Sequence, residues 1–166
     1  MNRCHCAALY ERDHQAEAAF LALEEGCFNT DDISLLGQPG VEREVACGRP
    51  LWAGKTLFQR PDAAPRGLWS RVDEWAWVSV PTVGTIAVAG PVIAVLSELA
   101  SGGAGCEALA EALVRIGVPL DTTLHYQAAL CAGHFLLVMP GSRREVECCH
   151  ALLAMLDAID VSVHLQ

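Results

Sequence analysis

VSVPTVGTIAVAGPVIAVLSELASGGAGCEALAEALVRIGVPL, residues 78–120, is the stretch on which the fold turns. Residues 78–97 contain no charged side chain, and roughly 20 such positions are what a bilayer span demands. Trp75 and Trp77 stand at its start as aromatic residues do at a membrane interface. Against a span, Pro81, Gly84, Gly90 and Pro91 break the run, Ser, Thr and Ala dilute it, and Glu98 rather than a basic residue follows it. The balance predicts a buried or oligomer-buried hairpin of helices over residues 78–97, with membrane association through them as the alternative. Leu109, Leu113 and Ile116 then recur at helical spacing over 107–116, Gly117 lies past the end, and Pro119 stops any continuation. Residues 78–132 therefore read as a small-residue helical insertion.

Working outward towards the C-terminus, Asp121 is placed to cap a short helix over 122–131, which Ala132 and Gly133 terminate. HFLLVM, 134–139, is a continuous apolar run of the kind that forms a buried strand, and Pro140-Gly141 turns the chain. Ser142 and Glu145 have the spacing of a capping box, so a last helix is expected from there. Val146, Cys149, Leu153 and Leu156 give it an apolar face, widened by Leu152 and Ile159. DVSVHL, 160–165, alternates as a strand, with Val161, Val163 and Leu165 inward and Ser162 and His164 outward.

Towards the N-terminus, residues 5–10 predict a first strand. Asp13 is the expected N-cap of a helix with Ala16, Ala19, Phe20 and Leu23 on one face, ended by Gly26. DISLLG, 32–37, predicts a second strand, closed by Gly37, Pro39 and Gly40. Residues 38–77 are irregular, with Pro39, Pro50, Pro61 and Pro65 among Trp52, Phe58 and Trp69; short helical turns pinned by the tryptophans, or local disorder, are expected there.

The outer parts spell β-α-β twice around the insertion. The expected fold is one α+β domain over 1–166: a ferredoxin-like antiparallel sheet, helices on one face, with the helical insertion between the second and third strands. The layout resembles the bacterial general stress (heat-induced stress) protein family, through AEAAFLALEEGCF, DDISLLG, VAGPVIAVLSELASGGAGCEALAEAL, IGVPLDTTLHYQAALCAG and HFLLVMPG. The resemblance implies a stress-associated protein and supplies no catalytic residues. The chain departs from the family in its Trp- and Pro-containing segment 38–74 and in having fewer glycines in the middle.

Composition narrows the function. At 166 residues with 52% hydrophobic and 19% charged side chains, the chain has ample material for a core. A net charge of −9, with Lys55 the only lysine, leaves no basic patch for phosphates, so nucleic acid is not expected as a partner. The opening MNRCHCAALYERDH lacks a signal-peptide apolar region, and a cytoplasmic location is expected. The cysteines form a C-x-C at Cys4 and Cys6, an adjacent pair at Cys148 and Cys149, and no CxxC, so neither a zinc ribbon nor a thioredoxin-type motif is present.

On a strand, Cys4 and Cys6 share a face and are spaced to clamp a soft ion, Cu(I) or Zn(II), with His5, Cys148, Cys149 and His150 as further candidate ligands. The bland reading is that small apolar thiols pack in a core. If the last strand pairs with the first, His164 comes near His5; His134 is a third strand histidine. Cys27 and Cys106 lie near helix ends but belong to no catalytic dyad, and SGGAG before Glu107 lacks the Lys-Ser/Thr of a phosphate loop. With helices on one side only, the open sheet face and the small-residue helices predict a homo-oligomer. The expectation is a non-enzymatic binding or assembly protein without a required cofactor; a Cu or Zn protein and a membrane-associated protein are the rivals.

Overall fold

The computed structural model of the chain describes residues 4–26, 28–37, 57–59, 72, 75–80, 84–101 and 108–165. They form an α+β fold around one antiparallel sheet. Its strands are β1 (Cys4–Tyr10), β2 (Ser34–Gly37), β3 (Leu57–Gln59), β4 (Trp75–Val80), β5 (Gly84–Ala89), β6 (Phe135–Gly141) and β7 (Asp160–Leu165). The sheet order is β3-β4-β5-β2-β6-β1-β7, with every neighbouring pair antiparallel. The helices are α1 (Asp13–Glu25), α2 (Val92–Ser101), α3 (Ala108–Arg115), α4 (Thr123–Cys131) and α5 (Arg143–Leu153).

Residues 78–97 do not form a hairpin of helices. Their first part belongs to a β-hairpin, in which β4 and β5 pair from Trp75 opposite Ala89 to Val80 opposite Gly84. The physical reason is a period of two. Ala76, Val78, Ile86 and Val88 face one core and Trp75, Ala87 and Ala89 the other, so β-branched and small side chains alternate across a sheet buried on both faces. Only α2 is helical. Gly84 starts a strand, and Gly90 marks the step from strand to helix rather than a break within one. Gly90 has φ +85°, and a Cβ there would run into the carbonyl of Ile33. That close approach lets the Ser34 hydroxyl accept the Val92 amide at 3.3 Å, seating α2 against β2. Pro81, and 38–56, 60–71, 73 and 74 of the irregular segment, lie outside the described residues; within the segment, 57–59 form β3 and 75–77 belong to β4.

Helices cover both faces of the sheet, not one. Ala16, Ala19, Phe20 and Leu23 of α1 and Val146, Cys149 and Leu153 of α5 pack on Cys6, Ala8, Leu35 and Leu137. On the opposite face Val92, Leu96 and Leu99 of α2, Leu109 and Leu113 of α3, and Tyr126 and Leu130 of α4 pack on Leu9, Leu36, Ile86 and Val138. The apolar sheet face from which self-association was expected is therefore filled by the chain's own middle helices.

Two boundaries also move. The N-cap of α1 is Arg12, whose amide donates to the Gln15 side chain at 3.1 Å, and Asp13 is the first helical residue. The predicted capping box of α5 forms: the Ser142 amide donates to Glu145 Oε2 at 2.7 Å, and the Glu145 amide donates to Ser142 Oγ at 3.3 Å. That helix stops at Leu153, so Ile159 lies beyond it and is half exposed instead of widening its face.

Candidate functional site

The thiols come together in part. Period two in β1 sends Cys4 and Cys6 into the core beneath α1 and α5, where both are buried. In α5 it is Cys149 that turns inward, and its thiol is hydrogen-bonded to Cys6. That bond, and then burial, hold the Cys149 thiol protonated well above the ordinary range. The Tyr10 phenol lies close to both sulfurs, is pushed up by burial above all, and among the described residues its hydroxyl has no hydrogen-bond partner.

The remaining candidate ligands disperse for reasons of periodicity. His5, one residue from each of Cys4 and Cys6, points to the opposite face and packs against Gly117. Cys148, one helical step from Cys149, is exposed, and His150 is half-buried. Among the described residues, no three His, Cys, Asp or Glu side chains converge as a metal site would require. Cys27, Cys47 and Cys106 lie outside the described residues. A buried pair of thiols is a packing arrangement first; binding a soft ion there requires the Cys149 thiol, held protonated, to lose its proton.

The histidines give the more polar cluster. His5 and His164 sit directly opposite one another on β1 and β7. His164 Nε2 is 3.0 Å from the Tyr126 hydroxyl of α4, and the two rings meet edge to face at 6.2 Å. Ser162 Oγ donates to Asp160 Oδ2 at 3.2 Å, and the exposed His125 lies 3.7 Å from the same carboxylate oxygen. His134, at the start of β6, is outside this group; its amide closes α4 by donating to the Ala129 carbonyl.

Burial dominates the electrostatics of the pair. It pushes the Tyr126 phenol up to about 12, with Asp160 adding to the shift and a hydrogen bond to Ser162 opposing it. It holds His164 below the ordinary imidazole value, against the pull of Asp160 and Asp121. At neutral pH the phenol and the imidazole are both uncharged and share one hydrogen bond. The arrangement ties α4 to β7 and contains no activated nucleophile. The strand pattern foretold the meeting of His5 and His164. Tyr126, Ser162 and Asp160 were missed, although the alternation of DVSVHL already put Asp160 and Ser162 on the face of His164.

The third feature is an edge. β7 is the outermost strand on its side of the sheet and only half-buried along most of its length. Val161 and Val163 lean on the core beneath α1 and α5, while Ile159 and Leu165 at its two ends are 50% and 60% exposed. Among the described residues, no helix is long and apolar enough to cross a membrane. Compared with family models, characterised proteins and solved structures, the chain matches none of them.

Proposed function

We propose that this chain is a cytoplasmic, non-enzymatic binding or assembly protein of the general-stress type that works as a homo-oligomer. The observation that carries this reading is the β7 edge. An outermost strand has alternate backbone N–H and C=O groups unpaired by its one neighbour, and among the described residues this edge has no proline and is flanked by exposed Ile159 and Leu165. The assembling unit is ferredoxin-like: β1-α1-β2 and β6-α5-β7 interleave in the strand order β7-β1-β6-β2 with α1 and α5 on one face, and β3, β4 and β5 extend the sheet past β2. The family reading rests on the segments quoted above and on the agreement of this strand order with the expected one.

Native mass spectrometry of the reduced, untagged protein tests the proposal. A metal-free dimer or larger closed assembly at micromolar concentration is the expected result; a monomer at every concentration would overturn it.

One observation favours a second reading, a soft-metal protein: the Cys6 and Cys149 thiols interact within one buried core, with Cys4 on the same strand face as Cys6. In that case the same spectra would carry a stoichiometric copper or zinc mass. That mass would disappear in C6S and in C149S.

A further inference from the structure

The residues of the β7 edge have a symmetry that selects its partner. Residues 159–165 read Ile-Asp-Val-Ser-Val-His-Leu, and taken backwards from Leu165 they repeat the same classes: aliphatic, ionisable, valine, serine, valine, ionisable, aliphatic. We propose that β7 pairs antiparallel with β7 of a second copy of this chain, about a twofold axis through Ser162. This rests on the assembly reading above and supplies its interface.

Geometry limits the choice of register. A twofold axis that relates two edge strands of one continuous antiparallel sheet stands perpendicular to the sheet, so each residue opposes one from the same face. Asp160, Ser162 and His164 lie on the face of α4, and Val161 and Val163 on the face of α5. The axis must therefore pass through a residue position. Through Ser162, every pairing is complementary: Ile159 with the second copy's leucine 165, Asp160 with its histidine 164, Val161 with its valine 163, and serine with serine. Directly opposed side chains have Cβ atoms about 4.5–5.5 Å apart, close enough for each of these pairs to interact.

The neighbouring registers fail on the same residues. An axis through Val161 sets His164 against Ala158 and leaves Leu165 against Asp157. An axis through Val163 sets His164 against serine 162 and Asp160 against glutamine 166, past the end of β7, so acid and imidazole no longer meet. Only the Ser162 axis sets the carboxyl group of one copy opposite the imidazole of the other, as acceptor to donor, and covers both exposed aliphatic ends at once. On the α5 side, Ile159, Val161, Val163 and Leu165 of the two copies form one apolar strip. A partner strand of unrelated sequence would have no reason to match this palindrome.

The test is a crosslink at the axis. In the full chain carrying C131S and C148S, which removes the thiols exposed among the described residues, S162C is oxidised with copper phenanthroline and the linked peptides are mapped by mass spectrometry. The expected product is a covalent dimer joined between the two positions 162. In parallel, L165K is expected to weaken self-association about tenfold, the scale on which loss of an interface anchor is felt. V114K, a substitution of an exposed residue on α3, should leave association unchanged. If light scattering finds an oligomer but S162C yields no 162–162 link and L165K associates normally, this interface is wrong and the assembly reading stands. If the unmodified chain is monomeric throughout, both fall.

Discussion

His164 differs from the other described histidines in being both half-buried and hydrogen-bonded to a phenol. Because burial lowers its proton affinity in the folded state, the unfolded chain takes up the proton first as pH falls. Its contribution to stability is therefore fully present above the ordinary histidine value of 6.5 and is lost as pH falls through that value towards the lower folded one. Urea unfolding of the wild type and of H164Q tests this: the wild type should lose stability relative to the variant between pH 7.5 and pH 5. A constant difference across that window would show that folding does not shift the His164 proton equilibrium. The approach of His164 to His5 was legible from strand pairing alone. Its bond to Tyr126 was not, since it depends on where α4 lies across the sheet, and nothing within the nine residues of α4 encodes that position.

At the scale of elements, the informative failure is the middle of the chain. VSVPTVGTIAVA supports a helix or a strand equally by apolar content, and a short uncharged run has too few polar positions to reveal its period. The strand wins because β2 offers an edge for β5 to pair with, and pairing with β2 and β4 occupies backbone groups of β5 that a broken helix would leave unmet. The three helices that follow then close the second face. Leu96 of α2 and Leu23 of α1 are both fully buried, on opposite sides of the sheet. Leu96→Ala and Leu23→Ala should each cost about 2–5 kcal/mol, the usual penalty for emptying a leucine site in a packed core. Chemical denaturation measures both; a cost near zero for L96A alone would mean that α2 does not pack as described.

At the scale of the molecule, the described residues form two cores with one sheet between them. Leu35 and Leu36 are adjacent in β2 and face different cores, as do Leu136 and Leu137 in β6. Neither core can be lost without removing one wall of the other, so unfolding should be cooperative. Far-ultraviolet circular dichroism and tryptophan fluorescence are expected to change at the same urea concentration, and L96A and L23A to shift that single transition together. Separate midpoints would mean that the layer of α2, α3 and α4 unfolds on its own.

Local pattern alone determined much of this protein. The outer β-α-β units, the capping box at Ser142 and Glu145, the inward faces of α1 and α5, and the alternation of β7 were all legible, because each is set by periods of two or 3.6 within one segment. The tertiary structure alone decided that β4 and β5 join the sheet, that helices fill its second face, and that Cys6 meets Cys149 while His5 turns away. Each of these depends on which surfaces distant segments present to one another, and a segment's own period records which face is apolar but not what covers it.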